Sequence, residues 1–395
     1  MSGATLLTGA TGFLGMNVLA QLIDRGDEEI VVLIRADDDA DAERRMQGVL
    51  GRLYDEPPAA AAHVRALRGD LLAPALGLSA EQRAPLISTV DRIVHCAASI
   101  SFGLPLREAR EINVGGVGRV IELARQIASG GTLRRLVHVS TAYVGGRHDG
   151  VFGEADLDVG QEFRNTYERS KHEGERLLGE AEDLPSLVLR PSMVVGHRAS
   201  GWTPAFNVIY WPIRAFERGL LSEVPAEADS IVDFVPVDYV TEAIVALLDD
   251  PDAHGTYHLV AGEQAMRAGE LVALSSSLLG SAPARLVPPD PAPRARHPAD
   301  AYASYFDVRC TFGDARAREA LERRGIVKAD PREFLGRLID YAQRTRWGKR
   351  PLSRQAAMAG VGALSASPPV GAESMSAASA RKAHRATPRR RAVAR

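Results

Sequence analysis

Lysine is nearly missing from this chain. Of 48 basic residues in 395 positions only four are lysines (Lys171, Lys328, Lys349 and Lys382), so the first 327 residues hold a single one, Lys171. An arginine-biased coding sequence accounts for the scarcity but not for the place of the survivor. Cysteine is scarcer still. Cys96 and Cys310 are the only two, which excludes a disulfide framework and zinc-ligand spacing and points to a reducing, cytoplasmic setting. No stretch reaches the roughly 18 uncharged apolar residues that a bilayer span needs. The first residues lack the basic and apolar regions of a signal peptide. No metal is therefore expected, and no transmembrane segment. Against these absences the bulk composition is ordinary: 45% apolar and 25% charged, which excludes a wholly disordered chain. A net charge of −2 argues against a specific nucleic-acid partner.

The C-terminal stretch differs from the rest. Residues 351–395 are rich in Ala, Ser, Pro and Gly and carry a net +7, leaving −9 on residues 1–350. Such a segment buries too little apolar surface to order itself, and a disordered basic tail is expected.

Residues 1–260 alternate short apolar runs with amphipathic stretches. Strands are predicted at 4–8, 29–34, 63–69, 90–97, 133–140, 186–190 and 256–260. Helices are predicted at 12–25, 41–53, 106–128 and 165–182. This alternation implies βαβ units and an α/β fold, a doubly wound Rossmann-like parallel sheet. The alternation breaks at 196–235 and 263–350, which predicts a smaller C-terminal substrate-binding cap beside the carboxyl edge of the sheet, where α/β ligand sites form. The expected division is 1–195 plus about 236–262 for the dinucleotide-binding domain, 196–235 and 263–350 for the cap, and 351–395 for the tail.

The first strand runs into Thr8-Gly9-Ala10-Thr11-Gly12-Phe13-Leu14-Gly15 and then a helix. Glycine suits a tight turn that must approach a pyrophosphate, and a helix N-terminus offers free N–H groups to phosphate. Placed between strand and helix, Gly9, Gly12 and Gly15 become a strong dinucleotide signal, with Thr11, Phe13 and Leu14 beside them. Twenty residues after Gly15, where an NAD-preferring protein places an acid, stands Arg35. A guanidinium suits a 2′-phosphate, and Arg44 and Arg45 extend the same expectation, so NADPH is favoured over NADH. Asp37, Asp38 and Asp39 lie nearby and leave a ribose contact open.

Lys171 sits in Tyr167-Glu168-Arg169-Ser170-Lys171. Four residues apart on a helix, Tyr167 and Lys171 share a face. A tyrosine hydroxyl is a poor acid–base near neutrality, and an adjacent ammonium lowers its pKa. Arginine, bulky and permanently charged, is no simple substitute. Ser140 and Thr141 end a preceding strand, where a hydroxyl can hydrogen-bond a substrate carbonyl. His95 and His138, inside strands, read as core histidines.

Taken with Asp70-Leu71, His95-Cys96-Ala97-Ala98-Ser99, Asn113-Val114, Ser140-Thr141-Ala142-Tyr143-Val144 and Leu189-Arg190-Pro191-Ser192, the chain resembles an extended short-chain dehydrogenase/reductase. More narrowly it is similar to the branch holding fatty acyl-CoA reductases and carrier-protein thioester reductase domains. Ser-Thr-Ala-Tyr-Val, the Ala-Ala-x-x-x-Phe run ending at Phe102 and Arg-Ala-Asp after the second strand are typical of that branch. The resemblance implies that Thr141 orients the carbonyl, Tyr167 donates the proton, and Lys171 tunes Tyr167 and bonds the nicotinamide ribose. Asn113 would hold the helix geometry or a relay water. Asp70 and Leu71 would flank the adenine, Ala97 and Ala98 the dinucleotide groove, and Pro191 and Ser192 the nicotinamide end.

An NADPH-dependent reductase of a fatty acyl thioester or derived aldehyde is therefore expected. Its aromatic stretch 202–216 would line the acyl channel. With no adenylation or carrier segment in the sequence, the acyl group is expected in trans, on coenzyme A or an acyl carrier protein. A homodimer is a further expectation. Two rivals stand beside this reading: a hydroxysteroid- or polyketide-type ketoreductase or nucleotide-sugar epimerase, and a non-catalytic NADP sensor.

Overall fold

The computed structural model describes residues 3–365 except 27–28, 132, 207–208, 221, 289–304 and 306. Seven parallel strands form its main sheet: β1 (Ala4–Thr8), β2 (Ile30–Ile34), β3 (Val64–Arg68), β4 (Val90–His95), β5 (Arg135–Val139), β6 (Ser186–Pro191) and β7 (Gly255–Leu259). Their order is β7-β6-β5-β4-β1-β2-β3. The chain winds outward from β1 in one direction and then from β4 in the other, so the crevice opens where β1 and β4 part company. This is the doubly wound arrangement that the alternation predicted.

Strand β2 is wholly apolar and β1 mostly so, and both are buried along their length because helices cover both faces of the sheet, whereas the edge strand β3 is partly exposed. On one side α1 (Phe13–Arg25) buries Val18, Leu19 and Leu22, α2 (Asp39–Leu53) buries Met46 and Leu50, and the sheet offers Leu7, Val32, Val94 and Val137. On the other side Leu6, Val31, Ile93 and Leu136 meet Leu86 of α3 (Ala80–Thr89) and Val120, Ile121, Ala124 and Ile127 of a later helix, described next. The segment predicted as one helix over 106–128 is two: α4 (Leu106–Asn113) and α5 (Gly115–Ser129), joined at Val114. The paired Gly115 and Gly116, poor helix formers, follow the junction directly. The predicted helix over 165–182 is α6 (Thr166–Gly179), which Asn165 caps by accepting from the Glu168 N–H at 3.0 Å. Helix α3 is missing from the sequence-based list although Ser79 and Gln82 form a capping box at its start.

The remaining elements are α7 (Tyr210–Glu217), α8 (Val237–Leu248), α9 (Ala268–Leu279), α10 (Ala315–Glu322), α11 (Pro331–Arg344) and α12 (Arg354–Ser365). A second core gathers Phe152, Phe234, Phe312, Phe334, Leu335 and Leu338. Its backbone is stitched by two-stranded pieces, Met193–Val195 beside Phe234–Pro236 and Gly150–Phe152 beside Cys310–Phe312. The expected division at 263 is crossed: Ala317 and Leu321 of α10 and Tyr341 of α11 pack into the core of the main sheet.

The expectation of disorder from residue 351 also gives way in part. Helix α12 docks on the dinucleotide half. Ala357 is buried there, Arg354 pairs with Asp24 at 3.0 Å, and Gln355 accepts from the Asp55 N–H at 2.9 Å. The basic run 381–391 lies outside the described residues. Among the described residues no helix is long and apolar enough to cross a membrane.

Candidate active site

A cleft of about 540 Å³ opens at the carboxyl ends of β1, β4, β5 and β6. Its phosphate end is built by the β1–α1 turn. Gly9 has φ +83°, and a Cβ there would stand 2.7 Å from the Ala97 nitrogen. A Cβ on Gly15 would stand 2.3 Å from the Gly9 carbonyl oxygen. No larger side chain fits either position, so the turn presses against the β4 loop and leaves its outer surface to a ligand. No side chain caps α1 at Gly12, and its first N–H groups face the cleft. Thr11, Phe13 and Leu14 line the same end.

Arg35, exposed at the end of β2, lines the cleft, as do Asp70, Leu71, Ala97 and Ala98. Arg44 does not. It is held by Asp41 at 3.1 Å, and Arg45 by the same carboxylate at 2.8 Å. The expected second arginine of the 2′-phosphate pocket is thus spent on its own helix. Asp38 is likewise spent, accepting from the Asp41 N–H at 2.6 Å as the cap of α2. Asp70 accepts from the Leu72 N–H at 2.9 Å, which shapes the loop rather than leaving the carboxylate free.

At the other end Thr141, Tyr167, Lys171, Pro191 and Ser192 line the same cleft. Thr141 is buried and accepts from the Tyr143 N–H at 3.2 Å, opening the short turn Ala142–Gly145. Burial pushes the Tyr167 hydroxyl up to about 12, and a hydrogen bond with Thr141 opposes that rise. The expected depression by the Lys171 ammonium is absent. Lys171 is turned toward the sheet, donating to the Val139 carbonyl at 2.8 Å and meeting His138 Nε2 at 3.3 Å. Burial brings Lys171 down to about 8, a shift that the Glu175 charge resists. Tyr167 is therefore a neutral hydroxyl, able to donate, beside a cation that is itself close to titrating.

Asn113 is not in the cleft wall. Its Oδ1 accepts from the Ser99 N–H at 2.8 Å, and its Nδ2 donates to the Ser99 carbonyl at 3.0 Å and to Ser170 Oγ at 2.9 Å. It holds the loop after β4 against α6, a geometry-holding contact. Gly174 makes this approach feasible, since a Cβ there would sit 3.0 Å from the Asn113 carbonyl oxygen. Cys96 lines the cleft, but burial pushes its thiol up to about 12, so it is no nucleophile.

The aromatic stretch 202–216 does not line the cleft. Trp202 is buried and donates Nε1–H to the Leu352 carbonyl at 3.0 Å. Phe206 packs on Tyr210, Tyr341 and Trp347. The apolar end is instead formed by Ile100, Phe102, Tyr143, Met193 and Tyr305. Phe102 and Tyr305 lie 5.0 Å apart between ring centres, and Tyr143 meets Tyr305 edge-on at 4.9 Å. Phe102 was flagged by its motif, whereas nothing local to Tyr305 marks it. A larger hollow of about 850 Å³ beside α4 and α6, lined by Arg110, Arg169, His172 and Glu173, is an open charged trough that contains none of the glycine-turn or Thr141, Tyr167 and Lys171 residues. Among the described residues no cluster of His, Cys, Asp or Glu is arranged to hold a metal.

A family model described as male sterility protein matches residues 7–244. The chain is 30% identical to human fatty acyl-CoA reductase 1 over 277 residues, covering 61% of this chain and 53% of that protein. It is 32% identical to the Aspergillus flavus nonribosomal peptide synthetase asaC over 273 residues, covering 65% of this chain and 26% of that protein. It thus spans about half the length of the curated fatty acyl-CoA reductases it matches. Among solved structures, the terminal R domain from the myxalamid PKS-NRPS biosynthetic pathway superposes with a TM-score of 0.73 at 26% identity, covering 89% of this chain and 93% of that one.

Proposed function

Because this chain belongs to the male sterility protein family, within the extended short-chain dehydrogenase/reductases, we propose that it is an NADPH-dependent reductase of an acyl thioester or the derived aldehyde. The observation that carries the reading is the meeting of Gly9, Gly12 and Gly15 with Thr141, Tyr167 and Lys171 in one cleft. A dinucleotide held at the first group would bring its nicotinamide toward a carbonyl held at the second.

The residues fit a nicotinamide cofactor. Gly9 and Gly15 let the turn pack against Ala97 and against itself where a Cβ would collide with backbone, which supports a close approach of the turn to a pyrophosphate, and Arg35 supports NADPH over NADH through a charge-assisted contact with a 2′-phosphate. When bound, the cofactor supplies the hydride. Thr141 and Tyr167 hold the carbonyl oxygen, and the neutral Tyr167 hydroxyl gives it a proton as negative charge develops there. From a thioester this yields a hemithioacetal, which collapses to an aldehyde and a free thiol. Lys171 would return the proton to Tyr167 and hold the nicotinamide ribose.

Ile100, Phe102, Met193 and Tyr305 form the apolar wall that supports an acyl substrate. The acyl group would come on coenzyme A or a carrier protein, and the division into a dinucleotide-binding domain and a cap belongs to the same proposal. The test is NADPH oxidation followed at its near-ultraviolet absorbance with acyl-CoAs, aldehydes and ketones. Turnover of ketones alone would sink the thioester reading.

A further inference from the structure

We propose that His138 is a positioning residue for the catalytic lysine: its imidazole Nε2 serves as the acceptor that fixes Lys171 Nζ in the cleft wall. The inference deepens the function proposed above, since it takes Lys171 to be part of the catalytic set.

Both side chains are sealed from water, Lys171 at 2% exposure and His138 at 1%. An ammonium in such a place needs acceptors for its protons, because an unpaired buried donor on a charged group is costly. Two acceptors from β5 meet it, the Val139 carbonyl at 2.8 Å and His138 Nε2 at 3.3 Å. They leave the third proton for the cleft, which Tyr167 also lines and where a bound cofactor's ribose would be held.

The imidazole suits this task only when neutral with Nε2 unprotonated. Burial first, then the Lys171 and His95 charges, hold His138 well below the usual histidine range. With Nε2 accepting, the proton belongs on Nδ1, which is buried and has no hydrogen-bond partner among the described residues. That stranded Nδ1 is what a ring oriented for Lys171 rather than for its own satisfaction would show. Across the β4–β5 register His138 faces His95, whose Nδ1 is 2.8 Å from Thr8 Oγ1. His95 is also driven neutral, to about 3, by burial and then by Lys171. The groups around Nζ are thus His138 and His95 from the sheet, Cys96 from the loop after β4, and Tyr167 and Glu175 from its own helix. Glu175 is the carboxylate whose charge supports the ammonium.

Three variants and one spectrum test this. His138→Leu removes the acceptor at similar volume, and His138→Gln keeps one. The expected result for His138→Leu is a kcat at pH 7.5 reduced at least about ten-fold and an alkaline limb of kcat lowered by about one pH unit, with NADPH affinity by fluorescence unchanged. His138→Gln is expected to keep its limb within about 0.3 pH units of the parent. Lys171→Met should abolish the limb altogether. Nitrogen-15 spectra of the histidines in the parent protein, with His138 assigned by its loss in His138→Gln, should show Nδ1–H with Nε2 unprotonated down to pH 5.

A Nε2–H tautomer would overturn the proposal, as would a parental alkaline limb in folded His138→Leu. Equal loss in both His138 variants, with NADPH still bound, would also overturn it by assigning the effect to packing. If His138→Leu does not fold, the tautomer decides. If the parent turns over no carbonyl substrate, the proposed function fails while the tautomer result still stands or falls alone.

Discussion

Glu175 and Arg190, each 2% exposed in its side chain, form a buried ion pair in which Arg190 Nη2 and Nε donate to Glu175 Oε2 at 2.7 and 2.9 Å. Glu175 lies one turn beyond Lys171 on α6, and Arg190 is on β6, just before Pro191. The pair therefore ties α6, which carries Tyr167 and Lys171, to the strand that leads into Pro191 and Ser192 at the cleft. Arg190 is satisfied further by the Asp156 carbonyl at 2.8 Å and lies over the Phe152 ring. Glu175→Ala should destabilise the fold by about 3–5 kcal/mol, because it strands a buried guanidinium. Thermal melting checks this, and a loss under about 1 kcal/mol would contradict it.

Tyr167→Phe removes the proposed proton donor and leaves the ring packed on Phe102 at 5.7 Å. Its kcat should fall roughly 10²–10⁴-fold with NADPH affinity preserved. Stopped-flow hydride transfer and cofactor fluorescence separate the two effects.

Lys171→Arg should lose most activity although it keeps the charge. The planar guanidinium cannot place one donor on Val139, one on His138 and one on the cleft. Lys171→Met should lose activity while gaining stability at neutral pH. The lysine is held at about 8 when folded and at its ordinary 10.5 when unfolded, so its burial is unfavourable below pH 8. That penalty is relieved as pH rises through 8 to 10.5. A gain of about 1–3 kcal/mol at pH 7, vanishing above pH 10, is the expectation, with the two orphaned acceptors limiting it. Parent activity should fall as pH rises past about 8, as Lys171 loses its proton.

Arg35→Ala should raise the KM for NADPH about 10–100-fold and leave that for NADH nearly unchanged. Arg44→Ala should change neither by more than about two-fold, because its guanidinium already belongs to Asp41. Steady-state kinetics with both cofactors decide.

Gly15→Ala should prevent formation of the β1–α1 turn or of the cofactor complex, given the 2.3 Å approach of its Cβ to Gly9. A variant with a parental melting temperature and parental NADPH affinity would rule out this account of the turn.

What could be read before folding was what depends on short spacing. Gly9, Gly12 and Gly15 declare their turn within seven residues, and Tyr167 and Lys171 share a helix face by counting. The central strands were legible because helices on both sides leave them buried and mostly apolar, as in Leu6–Leu7 and Val31–Leu33. Contacts that need two distant segments were not. Arg44, by contrast, was a local miss: Asp41, three residues earlier on the same helix, pairs with it. The aromatic stretch 202–216 looked like a channel lining, yet Trp202 is closed off by Leu352 and Phe206 by Tyr341 and Trp347, all from the far end of the chain. Tyr305 reaches the cleft from a region with no local pattern. His138 read as a core residue, and it is one, but its neighbour is Lys171, the lysine of the proposed catalytic set.

The clamp at Asn113 bears on how fast the cofactor is captured. Three hydrogen bonds through Asn113 join Ser99, in the loop after β4, to Ser170 on α6, so these two segments beside the cleft are already tied together within the chain. A receptor already shaped for its guest spends little ordering entropy on binding. Cofactor association should then be a single-exponential step whose rate rises linearly with concentration, without the plateau that a closing groove imposes.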